Sequence, residues 1–301
     1  MLVRLPSSLP VKSFINLMIV FFEYGRLGNQ LFQYATLKEL FPKERFFFYG
    51  CGDLKNTLAL VDATVIENEK MMHWVRNRFR QLLLSLSTLR IIGKIGEQRA
   101  DLTYSIKIRR GLVPGCYLLM PSFFQHEDIV SRLNPKFEIR RALNEKAFAW
   151  LKLRNISSES KNLVFVHIRR SDYLSWPSRE YPAVLDKSWY LRAIEQIRST
   201  VDKPLFLLLT DDIYYAEDCF GDQPDIFISD NDTFVDLALM SLCSHGILSA
   251  SSFAWWGAWF SRKARKDQKQ GVYLAPKYWA GHRSQEWHPQ GFISDWIKYI
   301  E

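Results

Sequence analysis

The segment VHIRRSDY, Val166 to Tyr173, sets two adjacent arginines beside a histidine and an aspartate at the end of an unbroken apolar run. Such a run reads as a strand buried on both faces, so the loop after it lies at a carboxyl strand end, where open α/β sheets bind ligands. Arg169 and Arg170 would be costly to bury unpaired, and a diphosphate is a natural acceptor for their planar forks. The same residues also allow a structural ion pair with Asp172. Both roles are expected together, one guanidinium on phosphate and the other held by the carboxylate.

Two more segments carry residue types suited to an anionic ligand. GRLGNQLFQYA, Gly25 to Ala35, reads as a strand-to-helix turn in which Gly25 and Gly28 allow close backbone approach and the helix N-terminus attracts an anion. Taken alone, it reads first as a structural turn with Asn29 and Gln30 capping the helix. LSASSFAWWGAWF, Leu248 to Phe260, places Ser251 and Ser252 before a Trp-rich helix, where serines cap the helix or donate to phosphate. Trp255, Trp256 and Trp259 fall at helical spacing and read as packing. Asp211 and Asp212 close another apolar run. Both this pair and Asp230-Asn231-Asp232 resemble metal-binding DxD sequences, but the arginine pair already supplies the positive charge that a cation would bring, so no metal site and no cofactor are expected.

The elements that must position these residues alternate. Runs at 163–168, 205–209, 226–229, 246–249 and 271–275 read as strands, and 188–200 and 233–243 as helices that bury one face, a pattern of parallel βαβ units. Leu17 to Phe22 reads as the first strand. The polar stretch NISSESKN, Asn155 to Asn162, reads as a linker between an N-terminal domain over 18–158 and a C-terminal domain over 159–301, with 1–17 an extension outside the fold. Two Rossmann-like domains facing a cleft are the expected architecture.

The composition, 48% hydrophobic and 24% charged, is that of a folded globular chain and excludes disorder. The four cysteines, Cys51, Cys116, Cys219 and Cys243, form neither a CxxC pair nor a zinc-like cluster and read as reduced thiols of a cytoplasmic protein. A net charge of +8 points to an anionic partner. Between 70 and 95 an apolar stripe (Met71, Val75, Phe79, Leu82, Leu86, Leu89) is flanked by Arg76, Arg78, Arg80, Arg90 and Lys94. This segment reads as a helical insertion, docked on its own domain or lying on an anionic membrane surface at the inner face. Nucleic-acid binding is the rival for a basic chain; no recognition motif supports it.

Together, GRLGNQLFQYA, VHIRRSDY and the long block LMSLCSHGILSASSFAWWGAW, Leu239 to Trp259, resemble the alpha-1,2-fucosyltransferase family in content, order and spacing. The HxRRxD pattern is shared with alpha-1,6- and protein O-fucosyltransferases; the third block separates this chain from both. The resemblance implies a GT-B fold, a GDP-fucose donor, a galactose-terminated glycan acceptor, inversion and no metal. By matching positions, Arg169 contacts the diphosphate, His167 and Ser252 support it, Asn29 lies across the cleft, and Asp211 and Asp212 are plausible partners for the guanine or ribose of the donor. The family commonly has glycine at Ser171 and a small residue at Arg26. Asp172 is the nearest carboxylate to serve as base, with Glu180, or a loose transition state that needs no base, the alternatives, and residues 50–125 carry no pattern that names the acceptor.

Overall fold

The computed structural model describes residues 17–67, 72–100, 103–125, 130, 137–158, 160, 162–264, 271–279 and 293–301. The N-terminal extension, apart from Leu17, and residues 70–71 at the start of the basic segment lie outside the described residues. By internal contacts the chain divides into two compact units, Met1–Glu138 and Ile139–Glu301.

In the first unit, β1 (Met18–Phe22), β2 (Arg45–Tyr49), β3 (Thr64–Ile66), β4 (Gly93–Ala100), β5 (Thr103–Arg109) and β6 (Cys116–Leu119) form one sheet in the order β3-β2-β1-β6-β4-β5. Neighbours are parallel except β4 and β5, an antiparallel hairpin that closes one edge. The strand sequences MIVFF and RFFFY are rich in the aromatic and β-branched types that fill a pleated surface. α1 (Leu27–Leu40) and α2 (Gly52–Thr57) follow β1 and β2.

α3 (Met72–Thr88) occupies the basic segment, and its apolar residues divide between two faces. Leu83 and Ser87 are buried, and Phe79 and Leu86 pack with Val20, Phe22 and Leu118 of the sheet. Val75, Leu82 and Leu89, expected in the same stripe, are exposed.

The second unit begins with α4 (Arg141–Leu153). The expected linker at 155–162 therefore does not mark the division. α4 buries Leu143, Ala147, Trp150 and Leu151, and Trp150 Nε1 donates to Asp230 Oδ1 at 2.6 Å, which ties the helix to the second unit. Beyond it, β7 (Leu163–Ile168), β8 (Leu205–Thr210), β9 (Ile226–Ile228), β10 (His245–Ile247), β11 (Tyr273–Pro276) and β12 (Lys298–Ile300) form a wholly parallel sheet in the order β12-β11-β10-β7-β8-β9. Counted from β7 this is the order 3-2-1-4-5-6 of a Rossmann sheet, with its switch point between β7 and β10.

α5 (Lys187–Arg198), α6 (Ile213–Phe220), α7 (Thr233–Leu242) and α8 (Ser252–Lys263) complete the layers. Every residue of β7 is buried, and Val164, Val166, Phe206 and Leu208 share a core with Trp189, Ala193 and Ile197 of α5. Burying each large side chain stabilises the fold by roughly 1.5–3 kcal/mol. α7 and α8 approach closely at Gly257, where a Cβ would meet Met240 Sδ at 2.1 Å.

Candidate active site

At the switch point, β7 and β10 are joined by side chains. His167, the fifth residue of β7, is buried, and its Nδ1 lies 2.7 Å from Ser249 Oγ in the loop after β10. Burial holds the imidazole well below its usual range, at about 4, against the opposing pull of the Asp211 charge. His167 is therefore neutral at physiological pH and acts here as a hydrogen-bonding group rather than a cation. One turn on, Tyr173 Oη donates to the Ala250 carbonyl at 2.6 Å.

Both expected arginines follow β7 directly, and both are held by carboxylates. Asp172 Oδ1 accepts from Arg169 Nε at 2.9 Å and Nη2 at 2.5 Å, while Asp211 Oδ2 lies 2.7 Å from Nη1. Arg170 Nε donates to Asp212 Oδ2 at 3.0 Å, its backbone N–H donates to Asp211 Oδ1 at 2.8 Å, and its guanidinium stacks 3.6 Å over the Tyr215 ring. The arrangement exceeds the expected single ion pair. Two guanidiniums face three carboxylates, so the cluster without ligand is not cationic in sum.

Asp211 and Asp212, expected to meet a nucleoside, lie on the arginines in this structure. Asp212 also caps α6 by accepting from the Tyr215 N–H at 3.1 Å. Among the described residues no group of three His, Cys, Asp or Glu side chains is arranged to hold a metal ion. The Asp230-Asn231-Asp232 sequence is structural: Asp230 accepts from Trp150 and Arg154, and Asp232 caps α7 through the Phe234 and Val235 N–H groups.

Ser251 caps α8, its Oγ accepting from the Phe253 N–H at 3.3 Å, and Ser252 opens the helix. The helix N-terminus thus follows the Ser249-Ala250 loop that His167 and Tyr173 grip, which places backbone N–H groups of α8 and the arginine loop at one end of one sheet. Trp255 and Trp256 are fully buried, as packing residues are. Glu180 lies exposed in the loop between Leu174 and α5.

The GRLGNQ turn belongs to the first unit, at the carboxyl end of β1. Gly25 has φ +84°, and a Cβ there would meet Asn29 Nδ2 at 2.6 Å, so the position requires glycine on two counts. Asn29 and Gln30 do not cap α1; Arg26 is its N-cap and makes no side-chain cap bond. Asn29 Oδ1 instead accepts from Gln125 Nε2 at 2.8 Å, and Gln30 Nε2 donates to Glu23 Oε1 at 2.8 Å and to the Gly25 carbonyl at 3.2 Å. Gly28 is buried in the first turn of α1. Glu23, Ser249 and Tyr173 were not among the expected site residues. Ser249 and Tyr173 lie inside the quoted motifs and were legible as polar residues at strand ends, whereas Glu23 carried no signal apart from its neighbours.

Residues 116–301 match the model of glycosyl transferase family 11, a span that includes the arginine loop and the α8 block. The chain belongs to glycosyl transferase family 11. Among relatives it is 25% identical to the O-antigen biosynthesis glycosyltransferase WbnK of Escherichia coli, over 85% of this chain and 92% of that one. It is 28% identical to an alpha-1,2-colitosyltransferase of the same organism (85% and 90% covered), and 23% identical to galactoside 2-alpha-L-fucosyltransferase Sec1 of Mus musculus (79% and 62%).

The fold is similar to that of the fucosyltransferase NodZ from Bradyrhizobium, with TM-score 0.50, 13% identity and coverage of 81% of this chain and 92% of that one. It is likewise similar to POFUT1 in complex with GDP, with TM-score 0.51, 11% identity and coverage of 86% and 98%. The two α/β units, each built on a largely parallel sheet, are those of a GT-B-type glycosyltransferase.

Proposed function

We propose that this family 11 enzyme transfers L-fucose from GDP-fucose to a galactoside hydroxyl in alpha-1,2 linkage, with inversion and without a metal, in the assembly of a surface polysaccharide or glycolipid. The observation that carries the proposal is the pair Arg169 and Arg170 at the switch point of a Rossmann sheet, beside the N-terminus of α8. Fucosyl transfer breaks a bond to a diphosphate, so preorganised donors facing the departing GDP supply the largest catalytic effect. Carboxylates on two sides hold the Arg169 fork in place before the donor arrives. Asp172, 49% exposed against 21% for Asp211, is the partner that gives way when a phosphate takes its place. Released from Arg169, Asp172 is then the proposed base for the acceptor hydroxyl, with Glu180 the alternative. Gly25, Gly28, Asn29 and Gln30 are proposed to serve the substrates from the first unit.

The names of the relatives support the linkage and leave the donor sugar to experiment, since one of them is a colitosyltransferase. The test is incubation of the purified protein with a galactoside acceptor and either GDP-fucose or GDP-colitose, followed by linkage analysis of the product. Fucose on the galactose 2-hydroxyl is the expected result. Colitose in its place would move the donor assignment, and fucosylation of a protein hydroxyl alone would reassign the acceptor.

A further inference from the structure

The positive charge of this chain is concentrated in one place. Residues 72–116 hold nine Lys or Arg and two Asp or Glu, so this segment carries +7 of the net +8. The register of the β4–β5 hairpin sets Lys94 opposite Arg109, a like-charge pair that sheets normally avoid. Lysines on an edge strand protect it from pairing, which accounts for the exposed Lys107 on β5 but not for the apolar residues beside it.

Those apolar residues come together through the backbone. The loop after β5 is pinned to the end of α3 by Leu112 N–H to the Arg90 carbonyl at 2.8 Å and Val113 N–H to the Ile91 carbonyl at 2.7 Å. Leu112 is 81% exposed and Leu89 68%, beside exposed Arg90 and Arg110. Leu82 and Val75 continue the exposed line along α3, one two-turn step apart, and Trp74 stands outward with Arg78 stacked on it at 5.3 Å. The adjoining face of α3, with Phe79, Leu83 and Leu86, is the one that docks on the sheet.

From this juxtaposition we infer that the surface formed by the outer face of α3 and the 110–114 loop seats the enzyme on an anionic lipid bilayer. Leucines and a tryptophan enter the headgroup boundary while the surrounding arginines and lysines meet lipid phosphates. Charge complementarity chooses this occupant: a second copy of the chain would bring +7 against +7. The surface lies in the first unit and is independent of which donor the second unit takes.

Co-sedimentation of the full chain with vesicles tests the inference. Wild-type protein is expected to bind phosphatidylglycerol-containing vesicles, to ignore pure phosphatidylcholine, and to dissociate in high salt. Arg90→Gln with Arg110→Gln should weaken binding about twenty-five-fold, at about fivefold per cation. Leu89→Gln with Leu112→Gln should weaken it roughly tenfold. Both double variants should keep the wild-type melting temperature and its GDP release with a soluble acceptor. Binding that ignores lipid charge, or double variants that bind as wild type, would overturn the inference whatever the enzyme's donor. So would a doubled particle mass in lipid-free solution that the leucine variant abolishes, which would make the surface a self-association interface.

Discussion

Arg169 is gripped by Asp172 and Asp211, so its guanidinium is fixed in plane before any phosphate meets it. Replacement by lysine keeps the charge and abolishes the two-donor fork. If the fork acts on the leaving GDP, Arg169→Lys should lower kcat by roughly one hundred to one thousand fold, as loss of an oxyanion-type donor does, with little change in donor KM. A structural role would instead lower the melting temperature and reduce activity only in proportion to the folded fraction, so both quantities are to be measured on one preparation. The Arg169–Asp172 ion pair was legible because the two residues lie three apart in one loop. The pairing of both arginines with Asp211 and Asp212 was not, since it depends on β8 lying beside β7 in the register that pairs Ile168 with Thr210. Sequence proximity does not encode that register.

At the scale of elements, the first turn of α7 holds a buried carboxyl. Asp236 accepts from Ser229 Oγ at 2.6 Å, and burial, reinforced by Asp232 and Asp230, raises its pKa to about 7 although the Ser229 bond opposes the rise. Between the unfolded value of 3.8 and about 7, the native state binds a proton that the unfolded chain has released. Stability should therefore fall as pH rises through that window, by on the order of 4 kcal/mol, and level off above it. Asp236→Asn removes this slope and should stabilise the protein more at pH 8 than at pH 5 relative to wild type. Parallel melting-temperature profiles for the two proteins would contradict it.

The strands β7 to β11 and the helices α5, α7 and α8 were legible from periodicity because their apolar runs match their burial, whereas α6, only eight residues long, was not expected. The first unit was less so. β3 and β6 have three and four residues, too short for a periodic signal, and the β4–β5 hairpin is polar along much of its length. α4 looked like the end of the first domain because nothing local reports its contact with Asp230, 76 to 80 residues on.

For the whole molecule, the sequence motifs named a two-unit α/β glycosyltransferase, and the strand orders, the family 11 match and the GT-B likeness agree with it. The four cysteines are free thiols, and among the described residues no helix is long and apolar enough to cross a membrane. What joins the scales is the claim that an arginine pair at a sheet switch point carries the charge of a departing GDP without help from a cation. The direct measurement is GDP release by the purified chain, with GDP-fucose, a galactoside acceptor and excess chelator, against the same mixture with UDP-sugars. The account predicts GDP release that needs both GDP-fucose and galactoside and persists in chelator, with no UDP released from the UDP-sugars. Turnover that is lost in chelator and restored by magnesium or manganese, or a folded protein that uses a UDP-sugar and leaves GDP-fucose intact, would contradict it.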